Sequence, residues 1–175
     1  MSRKIKLSIK GMSKIKIQLS VLDWLIEILS WIFMSVIWIV TIFCYSKLPD
    51  IIAVHYDSSG KADGFGGKEN IFTLPILAAI LFAGLTILNK YPRIFNYPVK
   101  ITSENALQRF KDATRLIRYL KFIAAAVFAY FILKTTRYTF NIPGITHELG
   151  IWFYMAAGML IFPLIYYSIR TFSSK

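Results

Sequence analysis

Residues 24–45 read WLIEILSWIFMSVIWIVTIFCY, an apolar run of 22 residues whose only charged side chain is Glu27. A helix needs about 20 apolar residues to cross a bilayer. Three further apolar runs follow at residues 71–88, 116–135 and 150–169. The first run is longer than the core of a cleavable signal peptide, and no small-x-small cleavage site follows it. The sequence therefore predicts an all-α integral membrane protein with four transmembrane helices.

The composition supports this class, with 56% hydrophobic residues and 16% aromatic residues. We expect one four-helix membrane domain, residues 23–175, after a basic tail, residues 1–22. The third run contains Arg118, Lys121 and Lys134, and we expect these side chains to snorkel toward the interfaces. Cys44 is the single cysteine, which excludes an intramolecular disulfide framework.

The basic residues predict the orientation. If the four runs cross the membrane in turn, sixteen of the 21 Lys and Arg residues fall on one side and five on the other. By the positive-inside rule, both termini are cytoplasmic and the loop after helix 1 is extracytoplasmic. The net charge is +12. We expect the basic residues to contact the lipid bilayer rather than nucleic acid, since no nucleic-acid recognition motif accompanies them.

The connection between helices 2 and 3 is predicted to be structured. Pro92 and Pro98 predict an extended turn, after which Thr102 caps a helix with Glu104 in its first turn. Residues 102–121 then form a cytoplasmic amphipathic helix before helix 3, with basic residues on its polar face. This helix is either a topological anchor or a docking surface for a cytoplasmic partner.

Glu27 lies near the cytoplasmic end of helix 1. We expect it to snorkel or to pair with Lys90 or Arg118, because an isolated acid in a membrane is costly.

The loop after helix 1, LPDIIAVHYDSSGKADGFGGKE at residues 48–69, is predicted to be a structured site. It contains four of the nine acids, one of the two histidines and four glycines. His55 and Asp57 would share a face of an extended strand. Residues 58–60 read as one turn and Asp63-Gly64 as a second.

Metal binding is one interpretation of this loop. The last extracytoplasmic loop adds His147, so His55, Asp57, Asp63 and His147 are candidate ligands of a zinc ion. The alternatives are a hydrogen-bonded cap on the bundle and a surface that binds a ligand or peptide. No Walker loop, nucleophile elbow, zincin helix or CxxC motif is present, so we assign no catalytic residue and expect no cofactor other than this possible zinc.

The same loop, followed by FTLPIL, resembles the N-terminal domain of SdpI-type bacterial immunity proteins. That domain also occurs alone, as an uncharacterised integral-membrane family. The pattern is a Pro, an H-x-[ND] pair, a Gly and D-x-[WF]-G, and Asp57 stands here where Asn is common. The later YPRIFNYPVKITSENA is also similar. The ligand-binding residues that follow from the loop and this resemblance are His55, Asp57, Gly60, Asp63, Gly64, Phe65 and Gly66.

The resemblance implies a multipass protein of the bacterial cytoplasmic membrane that gives immunity to a secreted peptide, or senses an envelope ligand, through its outer loops. SdpI-type proteins carry a further C-terminal membrane domain, which we expect to be missing here because only four apolar runs are present, so immunity follows by analogy alone. We expect a non-enzymatic protein. A metal-dependent membrane enzyme using the His/Asp cluster and a structural membrane subunit remain as alternatives.

The predicted orientation can be tested with cysteine substitutions at Ser59 and Ser103. An impermeant thiol reagent applied to intact cells should label position 59 and not position 103, because only the former lies outside. The unsubstituted chain, with Cys44 alone, gives the background. Labelling of position 103 but not 59 would overturn the orientation.

Overall fold

Helices account for most of the residues that the structure describes. A computed structural model describes residues 17–57, 59, 61–97, 99–140, 158, 161–162 and 165–169. Within these residues, three helical segments are long and apolar enough to cross a membrane: Val21–Tyr45, Lys68–Leu88 and Ala106–Thr139. The chain is therefore a mostly helical membrane protein. Most of the predicted fourth helix, residues 150–169, lies outside the described residues, although residues 165–169 are helical. Residues 1–16 of the tail also lie outside them.

The first helix, α1, spans Val21–Tyr45 and begins before the predicted residue 24. A capping box fixes its start. The Asp23 backbone N–H donates to Ser20 Oγ at 3.3 Å, and the Ser20 backbone N–H donates to the Asp23 carboxylate at 2.8 Å. These two bonds satisfy backbone groups that the first turn of a helix leaves without partners.

The loop after α1 folds as a β-hairpin, so the all-α prediction is wrong at this point. Strand β1, Ile51–Tyr56, pairs antiparallel with strand β2, Ala62–Gly67. The chain reverses across residues 57–61, where the Asp57 N–H donates to the Lys61 carbonyl at 2.9 Å. The predicted second turn at Asp63-Gly64 is also wrong, because both residues lie inside β2.

Helix α2 spans Thr73–Leu88 and follows a 3₁₀ turn, Lys68–Phe72. The next connection contains a second 3₁₀ turn, Pro92–Ile94, where the sequence predicted an extended segment. Proline fits the first turn of such a helix because its missing N–H would have no intrahelical acceptor there.

Helix α3, Ala106–Thr139, is one continuous helix of 34 residues. It joins the predicted amphipathic helix to the predicted third transmembrane helix. The predicted Thr102 cap is wrong, because the helix begins after Asn105. Asn105 instead accepts the Thr102 backbone N–H at 2.8 Å, and the Ala106 N–H donates to the Thr102 carbonyl at 2.9 Å.

Helices α1 and α2 both pack mainly on α3 and contact each other little. Small side chains on α3, Ala125 and Ala129, are buried and let the neighbouring helices approach closely. They belong to an apolar core with members from all three helices and the hairpin: Met34, Ile37, Leu48, Ile52, Ile71, Ala78, Phe82, Ala125, Ala129 and Ile132. We call the end of this bundle that carries the hairpin the hairpin end, and the opposite end the basic end.

Two acids of α1 meet three bases of α3 near the basic end. Arg115 donates to Asp23 through two parallel bonds, Nε to Oδ1 at 2.7 Å and Nη2 to Oδ2 at 2.8 Å. Lys121 donates to Glu27 and is 1% exposed. Arg118 lies between the two acids, 3.9 Å from Asp23 Oδ1 and 4.0 Å from Glu27 Oε2. The five charged groups form a network between the two helices, in which Asp23, Arg118 and Lys121 are buried and Glu27 and Arg115 are partly buried.

This network corrects the expectation of snorkelling for Arg118 and Lys121, which are both buried. Each turns toward α1 because a carboxylate there compensates its charge inside the bundle. Glu27 pairs as expected, but its closest partner is Lys121, with Arg118 further away. Among the described residues, Glu27 forms no ion pair with Lys90.

Candidate functional site

The hairpin is anchored to the helices by its buried side chains and by Tyr56. Ile52 and Ala53 of β1 and Ala62 of β2 are each less than a tenth exposed. Tyr56 donates its hydroxyl to Thr135 Oγ1 of α3 at 3.2 Å. Burial raises the pKa of the Tyr56 phenol, so the group stays a neutral donor. The hairpin is thus a fixed part of the bundle.

Lys134 also contacts the hairpin, where the sequence predicted only snorkelling. Its ammonium lies 4.3 Å from the centre of the Tyr56 ring. Tyr138 packs edge-on against the same ring, with centroids 6.1 Å apart. A cation over an aromatic face and an edge-to-face aromatic pair each add stabilising energy beyond that of burying the ring. Two residues of α3 therefore hold Tyr56 of β1 in place.

His55 and Asp63 form the exposed polar pair of the hairpin. His55 Nδ1 lies 2.5 Å from Asp63 Oδ1, and the two side chains are 72% and 45% exposed. The strand register passes from the pair Ala53–Phe65 to the pair His55–Gly64, so it skips Val54, and it then skips Asp63. Bulges of this kind redirect side chains and are common beside functional sites. Two predicted site residues are therefore brought together.

Asp57 has a different place from the one predicted. Its Oδ1 accepts the backbone N–H groups of Ser59 and Lys61, both at 2.9 Å, and the Ser59 hydroxyl at 2.6 Å. An aspartate that binds the backbone of the following residues stabilises a turn. This carboxylate shapes the reversal of the hairpin, while Asp63 rather than Asp57 meets His55. Gly60 lies outside the described residues.

Two hairpin glycines, Gly64 and Gly66, have close neighbours. Neither has a left-handed backbone. A Cβ added at Gly64 would lie 2.8 Å from the Cβ of His55, its cross-strand partner. At Gly66 it would lie 3.0 Å from the Asn70 amide nitrogen. Gly64 therefore leaves the space that the His55 side chain needs at the bulge.

Exposed apolar side chains lie on the same two strands as the polar pair. Phe65, the remaining predicted site residue, is 58% exposed, and Ile51 and Val54 are exposed as well. Between β1 and the helices lies a cavity of about 280 Å³, with Asn70, Thr73 and Thr135 among its polar lining residues. The hairpin therefore presents a mixed surface that combines the His55 imidazole and the Asp63 carboxylate with large apolar groups.

An ion pair that the sequence did not predict closes the base of the hairpin. Lys68 Nζ donates to Asp50 Oδ1 at 2.9 Å, and the Lys68 backbone N–H donates to the Asp50 carbonyl at 2.9 Å. The Lys68 ammonium lowers the pKa of the exposed Asp50 carboxyl. The two residues flank the strands in sequence, which is a signal that could have indicated a hairpin.

The candidate zinc ligands converge only in part. Across the ranges described, no three His, Cys, Asp or Glu side chains are placed to share a metal ion. His55 and Asp63 are adjacent, Asp57 Oδ1 is engaged in the turn, and His147 lies outside the described residues. The geometry of the hairpin suits hydrogen bonding and charge recognition.

Comparisons with known proteins agree with a membrane domain that includes this hairpin. Residues 32–79 match the family described as a domain of unknown function (DUF1648), a match that runs from α1 into α2. An uncharacterized protein of Archaeoglobus fulgidus is 30% identical over 78 residues, which cover 40% of this chain and 43% of that relative. The chain thus spans less than half the length of this relative. No solved structure matches the chain.

The steric role of Gly64 predicts that Gly64→Ala destabilises the protein by about 1 kcal/mol or more, because the added methyl group clashes with His55. Thermal unfolding in detergent measures the change. Gly84→Ala in α2 is the control, since nothing lies within 4 Å of the added Cβ, and it should cause no loss. An unfolding temperature of Gly64→Ala equal to that of the unsubstituted chain would contradict this role.

Proposed function

We propose that this chain is an SdpI-like membrane protein that binds a secreted peptide or an envelope ligand through its hairpin, and so provides immunity or sensing. The observation that carries the proposal is the exposed His55–Asp63 pair beside exposed Phe65, on a hairpin fixed to the bundle. The excess of basic residues at the opposite end supports an extracytoplasmic hairpin.

The polar residues of the hairpin make different kinds of contact, and this difference favours a binding surface over a structural cap. Tyr56 is half-buried and bonds α3, and Asp57 bonds its own turn, so these two residues serve stability. His55 and Asp63 bond each other and are 72% and 45% exposed, so they keep hydrogen-bonding capacity that a ligand can use. A pair that only capped the bundle would be expected to bond the helices beneath it.

The surface chemistry indicates the class of ligand. An aromatic side chain next to a few polar groups is typical of residues that dominate the binding energy of protein interfaces. Val54 and Phe65 would contact apolar side chains of a peptide, while Asp63 and His55 would accept and donate hydrogen bonds. A peptide with apolar and basic residues fits this combination best, because Asp63 provides the charge it would pair with.

The proposal can be tested by survival of cells that express the chain and are challenged with secreted peptides from competing bacteria. His55→Ala and Phe65→Ala should reduce survival to that of cells without the chain. Both proteins should accumulate in the membrane and unfold at the normal temperature, because neither side chain is buried. Lys61→Ala is the matched control: it removes an exposed charge from the same hairpin and should preserve protection.

Full protection by both variants would refute binding through the hairpin. Loss of protection together with loss of folding would show instead that these side chains serve stability.

A further inference from the structure

A cleft lies between α1 and α2. The two helices diverge here because each packs on α3 rather than on the other. The cleft has a volume of about 660 Å³. Its walls include Trp31, Trp38 and Ile39 of α1 and Ala83, Thr86 and Ile87 of α2. A volume of this size is typical of sites for small ligands.

The cleft suits a hydrocarbon chain. Its lining is apolar except for the hydroxyls of Ser35 and Thr86 and two indole N–H groups. The Thr86 hydroxyl already accepts a bond from Lys121 at 3.4 Å. From Trp31 to Ile39 the cleft extends about 12 Å along α1, close to the depth of one leaflet. The lining residues belong to two segments that are long and apolar enough to cross the membrane. The hydrocarbon chain would therefore be an acyl chain of a membrane lipid.

The charge at one mouth of the cleft indicates the head group. Thr86 and Ile87 lie at the basic end, one turn before the exposed Lys90 and close in sequence to the exposed Arg93. Residues 89–103 contain three basic residues and no acid. Basic side chains next to a membrane surface attract anionic lipids. The apolar cleft and the basic mouth are therefore complementary to the two parts of one molecule.

We propose that the cleft binds an anionic phospholipid, with one acyl chain between α1 and α2 and its phosphate held by Lys90 and Arg93. This site is separate from the hairpin and does not depend on the function proposed for it. The lipid fills the gap that the two helices leave, and it links α1 to α2 at the basic end.

Tryptophan fluorescence tests the proposal, because Trp31 and Trp38 line the cleft. The purified chain is reconstituted in phosphatidylcholine vesicles that contain a small fraction of acyl-brominated phosphatidylglycerol or of acyl-brominated phosphatidylcholine. Bromine quenches tryptophan only at close contact. The brominated anionic lipid should quench more strongly than the zwitterionic one at the same fraction.

Two variants and one control define the site. Lys90→Glu/Arg93→Glu should abolish the preference for the anionic lipid. Ala83→Phe, which fills the cleft from α2, should lower quenching by both lipids. Lys47→Glu/Lys61→Glu makes the same change of charge at exposed residues of the hairpin end, and it should keep the preference.

Equal quenching by the two lipids in the unsubstituted chain would overturn the proposal. Loss of the preference in both charge-reversed variants would overturn it too, since bulk charge would then explain the effect. A cleft closed by a second copy of the chain, seen as a crosslink between Ala83→Cys positions in a Cys44→Ala background with no lipid preference, would replace the lipid with a protein partner.

Discussion

The buried charge network between α1 and α3 is the constraint on which the arrangement of the bundle depends. In a membrane, apolar side chains contribute little energy that distinguishes one rotation or height of a helix from another, because lipid is as apolar as they are. Buried charges do distinguish between these arrangements, because a charge left without its counter-charge in a medium of low dielectric destabilises the protein. The bidentate contact of Arg115 with Asp23 and the contact of Lys121 with Glu27 fix both the facing sides and the relative height of the two helices.

The charge network also positions the hairpin, because α3 is continuous from the network to the opposite end of the bundle. Arg115 and Thr135 lie on the same unbroken helix, so the height set at one end is transmitted to the other. There Thr135 accepts the bond from Tyr56, and Lys134 covers its ring. The pair His55–Asp63 is thus presented at a fixed position relative to the membrane-crossing segments. A binding surface held in this way loses little entropy when a ligand binds.

Three of the four predicted apolar helices are confirmed, because a long apolar run strongly favours a membrane-crossing helix. The sequence predicted the polar contacts less well because they depend on partners distant in the chain. Arg118 and Lys121 were expected to snorkel, since hydropathy is judged on one helix at a time. The missed signal was the matching spacing of Asp23 and Glu27, one turn apart, with three bases at intervals of three on α3.

The hairpin shows the same limit on a smaller scale. His55 and Asp63 were identified as site residues, but Asp57 was expected to share the face of His55. The register skips Val54 and Asp63, and no simple count of two residues per repeat can anticipate such bulges. Gly64 was expected to form a turn with Asp63, whereas it lies inside β2 and provides space for His55. Close contact across strands, rather than local conformation, decided that position.

The most direct test of this account is a double-mutant cycle on Glu27 and Lys121, measured as the free energy of unfolding in mixed micelles. Glu27→Leu leaves Lys121 buried without its counter-charge and should cost about 3 kcal/mol. Adding Lys121→Met removes the stranded charge and should restore most of that stability, since the two apolar side chains fill similar volumes. A double variant whose loss equals the sum of the single losses, or a single Glu27→Leu variant as stable as the original chain, would contradict a bundle held by its buried charges.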